Sequence, residues 1–173
     1  MALEVEDGTG KANAESYVSV ADCSTYCTAR GLTFASGTDA NKEAALRRAT
    51  AYIDGAYGSR FIGMRRNGRD QALQWPRIDA YDASVDEYVD HESVPVEVVN
   101  ATCEAAVREL ASPGALNPDL KRGGAIKSVK AGSVSVEYMG GAPSDTTYQV
   151  IDRALAPLIS ARTGSLVGRA VRG

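Results

Sequence analysis

A chain of 173 residues with 44% hydrophobic residues is long enough to bury one globular core and short for two. Its formal net charge of -3 excludes a surface that is basic all over, because phosphate binding rests on clustered Lys and Arg. No stretch approaches the roughly 20 apolar residues needed to cross a bilayer, and residues 1–10 are acidic and polar rather than basic and then apolar, so a chain that is cytoplasmic where it is made is expected.

Phe34, Phe61, Trp75 and eight tyrosines are the aromatic residues, so Ala, Val, Leu and Ile must supply most of the core, which favours helix packed on helix. Cys23, Cys27 and Cys103 form an odd set that suits reduced, buried thiols. Zinc would need two more soft ligands beside Cys23 and Cys27, and Cys103 and His91 are not paired at ligand spacing. Neither a metal nor another cofactor is expected.

Residues 1–16 carry Gly8, Gly10 and four acids without apolar periodicity, so they read as an extended arm whose order needs a partner surface. Ser19 and Asp22 form a capping box, Val20, Cys23, Tyr26 and Cys27 mark the buried face of a first helix, and Gly31 ends it. Thr38 and Asp39 open a second helix over 39–57, with Leu46, Ala49, Ile53 and Ala56 on its buried stripe and Gly58 at its end.

Residues 59–94 show no clear period, and a loop beyond roughly 15 residues is usually functional. The charge of this loop is divided: Arg60, Arg65, Arg66, Arg69 and Arg77 lie in its first half, and Asp79, Asp82, Asp86, Glu87, Asp90 and Glu92 in its second, which invites pairing. Pro95 suits the first turn of a third helix, with Val99, Cys103, Ala106 and Leu110 at helical spacing before Pro113 and Gly114 stop it. Within 125–139, β-branched residues flank Ala131 and Gly132, and Val134, Val136 and Tyr138 alternate with Ser135 and Glu137, which predicts a hairpin with one buried face. A fourth helix over 146–161 presents Tyr148, Ile151, Leu155 and Leu158 or Ile159 on one side, and Pro157 should kink or shorten it. The tail 162–173 has too few apolar anchors to fold alone.

Chemistry has few candidates. His91, between Asp90 and Glu92, reads as an exposed residue of an acidic loop rather than a general base, because no nucleophile is placed to converge on it. Gly8-Thr9-Gly10-Lys11 and Arg122-Gly123-Gly124 are fragments of phosphate loops without the full spacing, and Glu4, Glu6 and Asp7 lack calcium-loop spacing. Lys121, Arg122, Lys127 and Lys130 near Tyr138 would suit single-stranded nucleic acid, although such lysines also commonly face water or blunt a sheet edge. Trp75 before Pro76 reads as the anchor that pins the long loop onto the helices. No enzyme activity is expected.

Several stretches carry a family resemblance. They are Val5-Glu6-Asp7-Gly8-Thr9-Gly10 with Ser16-Tyr17-Val18-Ser19, Ala44 to Thr50 with Tyr52-Ile53-Asp54, and above all Gln71-Ala72-Leu73-Gln74-Trp75-Pro76-Arg77. Later come Val94-Pro95, Arg122-Gly123-Gly124, Val136-Glu137-Tyr138 and Leu155-Ala156-Pro157-Leu158. The chain resembles DnaT-like single-stranded-DNA-binding phage proteins and the head-tail adaptors, also called connector or head-completion proteins, of tailed phages. The resemblance implies a mainly α fold, a small bundle of about four helices with a β-hairpin, a long central loop and extended arms at both ends.

It also implies a structural virion protein of the phage neck: a homo-oligomeric ring, commonly a dodecamer, under the portal protein. That ring extends the DNA channel and docks the next neck or tail-completion protein. Here the portal-binding candidates are Leu166, Val167, Arg169, Val171 and Arg172. The candidates for contact between copies are Leu3, Val5, Arg65, Arg66, Asp86, Glu87, Lys127, Lys130 and Tyr138, with Trp75 and Pro76 as the structural anchor. The alternative is a single-stranded-DNA-binding module built on Lys121, Arg122, Lys127, Lys130 and Tyr138.

Overall fold

The computed structural model describes residues 2–34, 37–117 and 148–160, together with the backbone of two short strands, 129–131 and 134–136. The fold is small and mainly helical, with α1 (Val20–Ala29), α2 (Asp39–Tyr57), α3 (Val96–Ala111) and α4 (Gln149–Leu155), the last running into a 3-10 turn (Ala156–Leu158). Helix α3 lies at the centre, packed most extensively against α2 and next against α4, while α1 touches both α2 and α3.

The helix ends follow local chemistry. The Ser19 hydroxyl accepts from the Asp22 amide at 3.0 Å and donates to the Asp22 carboxylate at 2.6 Å, which caps α1. Thr38 caps α2 through the Asn41 amide at 3.4 Å. Pro95 occupies the N-cap of α3, one position ahead of the first helical residue. Pro157 shortens α4, as its missing amide requires, and the chain tightens into the 3-10 turn.

Two helix faces differ from the spacing argument. On α2 the last buried position is Tyr57 and not Ala56, which is exposed, because the Tyr57 hydroxyl reaches across to donate to Asp152 of α4 at 2.6 Å. On α3 all six residues from Ala101 to Ala106 are buried, whereas Val99 and Leu110 are only half-buried. A central helix covered on several sides has no single apolar stripe, and its small Ala and Cys residues permit close packing. Cys23, Cys27 and Cys103 are buried free thiols. The neighbouring Cys103, then burial, pushes the Cys23 thiol far above its usual range, so it stays protonated and packs as a small apolar group.

The stretch 59–94 is not a plain loop. It holds two antiparallel strand pairs, β1 (Met64–Arg65) with β2 (Arg77–Ile78) and β3 (Tyr81–Asp82) with β4 (Glu87–Tyr88). Strands of two residues are too short to print a period of two on the sequence. The expected hairpin is present as β5 (Val129–Ala131) paired antiparallel with β6 (Val134–Val136), Lys130 facing Ser135 in the register. The buried face expected of it lies outside the described residues, as do Lys127, Tyr138 and the tail candidates Leu166, Val167, Arg169, Val171 and Arg172.

The amino-terminal arm corrects a second expectation, because its own chain supplies the surface that orders it. Val5 bridges Ser16 in parallel, and the Glu6 amide donates to the Ser16 carbonyl at 2.9 Å. The loop so closed then docks on residues 66–72 of the central stretch, where Ala72 donates its amide to the Lys11 carbonyl at 3.0 Å.

Candidate functional site

The Gly8-Thr9-Gly10-Lys11 fragment does form an anion cradle, and the chain fills it itself. The Glu6 carboxylate, buried, accepts from the amides of Gly8 at 2.9 Å, Gly10 at 2.8 Å and Lys11 at 2.8 Å. Successive amides converging on one carboxylate are the geometry that elsewhere receives phosphate. Gly8 is required here: at φ +96° a Cβ would lie 2.0 Å from the Glu92 carbonyl oxygen.

Arg66 and Asn67 clamp this cradle from the other side. Arg66 donates to the Gly8 carbonyl at 3.2 Å, the His91 carbonyl at 3.0 Å and the Glu92 carboxylate at 3.2 Å, and Asn67 donates to the carbonyls of Thr9 and Gly10. The divided charge of the central stretch therefore meets within one chain through Arg66 and Glu92. Arg65 binds the Gly68 carbonyl at 2.8 Å, and Asp86 and Glu87 lie apart on the β3–β4 hairpin. Leu3 and Val5 are half-buried in the arm.

The Gln71–Arg77 block organises the central stretch from within. Buried Gln71 donates to the carbonyls of Leu73 at 2.8 Å and Pro76 at 3.0 Å and accepts from the Asn67 amide at 3.2 Å. Buried Arg77 donates to the carbonyls of Ile62 and Gly63, both at 2.7 Å, and to that of Gln74 at 3.2 Å. Trp75, joined to Pro76 by a cis peptide, is wholly enclosed, its ring edge-on to Phe61 at 5.6 Å. Tyr17 from the arm and Asp54 from α2 complete the site: the Tyr17 hydroxyl donates to Asp54 and accepts from the amides of Gln74 at 3.0 Å and Trp75 at 3.2 Å. Burial pushes the Asp54 carboxyl up to about 6. Sequence spacing carried no sign of this Tyr17–Asp54–Gln74 junction, whose members are separated by tens of residues.

The body's cations are largely engaged. Lys11 pairs with Glu4 and Asp7, Arg47 with Glu15 and Glu43, Arg48 with Glu109 at 2.6 Å, and Arg108 with Glu104. Arg30 stacks on Tyr26. The most prominent exposed aromatic pair, Tyr81 and Tyr88 with ring centroids 5.3 Å apart, lies on a hairpin flanked by Asp79, Asp82, Asp86, Glu87 and Asp90. Such a surface repels phosphate. His91 is exposed, with its imidazole 4.0 Å from the Glu92 carboxylate. Among the described residues no group of three His, Cys, Asp or Glu is arranged to hold a metal ion, and no helix is long and apolar enough to cross a membrane.

The model of one protein family, described as "Putative DnaT-like ssDNA binding protein", matches residues 1–173. The chain belongs to that family. No curated protein and no solved structure matches it. The family match covers both the Glu6 cradle and the Gln71–Arg77 block, which in this member are built as internal ties.

Proposed function

We propose that this family member is a non-enzymatic protein that binds single-stranded DNA through two basic segments, 118–147 and 161–173, rather than through the acidic remainder of the chain. The observation that carries the reading is a division of charge. The described side chains comprise 12 Lys and Arg against 19 Asp and Glu, whereas segments 118–147 and 161–173 together hold 7 against 3. Binding to DNA draws its free energy from Lys and Arg that replace counterions on phosphate, and cations already held by their own chain's carboxylates give little of it. Lys121, Arg122, Lys127 and Lys130 would meet the backbone, Tyr138 would stack a base, and Arg162, Arg169 and Arg172 would add a second contact. The family description names the same ligand class.

Fluorescence anisotropy of a labelled oligothymidylate at rising salt tests this. Affinity should fall linearly in log-log form with a slope of ~0.7 per phosphate neutralised on a single strand. Replacing Lys121, Arg122, Lys127 and Lys130 by alanine should lower both affinity and slope. An absence of binding at low salt overturns the reading.

The acidic, internally paired body favours a second reading, a head-tail adaptor, since such a surface suits a conduit that DNA crosses without sticking. Copies would form a ring beneath the portal in the virion neck, with Leu166, Val167, Arg169, Val171 and Arg172 on the portal and Lys127, Lys130 and Tyr138 toward other copies or the next ring. Because Arg66 is held by its own Glu92, the loop contact between copies would fall to Arg65 against Asp86 and Glu87. The native mass of the chain, alone and with portal protein, tests it: a monomer in both samples excludes the ring.

A further inference from the structure

We propose that the β3–β4 hairpin is a docking face for the arginine-bearing segment 161–173 of the same chain. The hairpin is an apolar ridge in an acidic frame. Val85 is 62% exposed and Tyr88 71%, far more than rings and branched side chains show inside a body this well packed. No Lys or Arg among the described residues forms an ion pair with Asp79, Asp82, Asp86, Glu87 or Asp90. The turn is fixed: Asp82 accepts from the amide and hydroxyl of Ser84, the Tyr81 hydroxyl donates to Asp86, and Asp86 itself sits at φ +62°. The face is thus preorganised, with carboxylates and π-faces presented together, and arginine is the side chain that satisfies both at once.

Segment 161–173 has the matching chemistry. It carries Arg162, Arg169 and Arg172 with no acid, and Leu166, Val167 and Val171 would cover Val85 and the tyrosine rings. The other basic stretch, 118–147, fits less well because Asp119, Glu137 and Asp145 are interspersed in it. The geometry of departure also allows it. The Ser160 amide donates to the Arg60 carbonyl at 2.9 Å and Ile159 bridges Phe61, so the segment leaves beside residues 60–61. Two residues further on, Gly63 lies so close to the base of the hairpin that a Cβ there would meet the Ala80 amide nitrogen at 2.7 Å. An extended segment of this length spans roughly 40 Å, about the diameter of a domain of this size.

The docking stands on these observations alone, whereas its consequence rests on the DNA-binding reading: hairpin carboxylates and DNA phosphates would compete for the same arginines. The test uses the full chain without DNA, so its outcome is separate from that of the oligonucleotide titration. A spin label on Ser165→Cys is selective because the native thiols are buried. Amide signals of residues 79–90 should lose intensity, the loss centred on the hairpin. They should recover in high salt and in the Asp82→Asn, Asp86→Asn, Glu87→Gln variant, whose side chains keep the turn's acceptors and suit its left-handed backbone. No selective loss, or a loss that persists in that variant, overturns the proposal. An equal loss on isotope-labelled chains that carry no spin label, when these are mixed with spin-labelled chains, assigns the face to a second copy and overturns docking within one chain.

Discussion

The Tyr17 hydroxyl donates to the Asp54 carboxylate in the interior, and both side chains accept from the one amide of Gln74. Three distant pieces of chain, the arm, α2 and the central stretch, meet at this point. It is the tie that converts an aperiodic segment into a fixed part of the body.

Tyr17→Phe should therefore destabilise the chain by about 1–3 kcal/mol, the cost of leaving buried polar groups without a partner. Urea unfolding measures it, and the loss should appear in the midpoint with the slope unchanged. A variant as stable as the parent would mean that the junction contributes nothing.

Asp54 also gives a pH signature. Its folded pKa is about 6 against an ordinary 3.8, so between these values the folded chain binds more protons than the unfolded one. Its contribution to stability is fully present below the unfolded value and is lost as pH rises through about 6. Relative to Asp54→Asn, which lacks this titration, the parent should lose on the order of 2–3 kcal/mol between pH 4 and pH 7. Thermal or urea unfolding of both across that window checks it, and a flat difference refutes the assignment.

Glu6→Ala should release the amides of Gly8, Gly10 and Lys11 at once. Amide exchange at these three should accelerate together, with a loss of about 1–3 kcal/mol, because buried donors would be left unpaired. Glu6→Gln keeps one acceptor oxygen and should recover part of the protection. Unchanged exchange in Glu6→Ala would show that the cradle does not depend on its carboxylate.

Trp75, the single tryptophan, reports on the central stretch directly. Its emission should be that of a buried indole and should shift to the red in urea at the same midpoint as the helical signal, because the block around it is tied into the core. A separate, earlier fluorescence transition would mean that residues 59–94 detach alone. Trp75→Ala should cost about 3–5 kcal/mol, the range for deleting a large aromatic side chain from a core.

What the sequence determined by itself is local. Ser19 and Thr38 mark helix starts, Pro157 marks where α4 tightens, and the alternation around Val134 and Val136 marks the hairpin, because each depends on residues within one or two turns of chain. The conspicuous Gln71–Arg77 block was legible as a motif but not as a mechanism, since the groups that Gln71 and Arg77 satisfy include the amide of Asn67 and the carbonyls of Ile62 and Gly63, and no spacing rule connects them. The same holds for Glu6, whose glycine-rich neighbourhood resembled a phosphate loop until the fold turned its own carboxylate into the anion.

Only the tertiary structure decided that the arm and the charge-divided stretch complete one another. Two segments that are each too polar to bury a core become ordered once Arg66, Asn67 and Ala72 of the central stretch donate to carbonyls of the arm, and that pairing is a property of their positions in space rather than of either sequence alone.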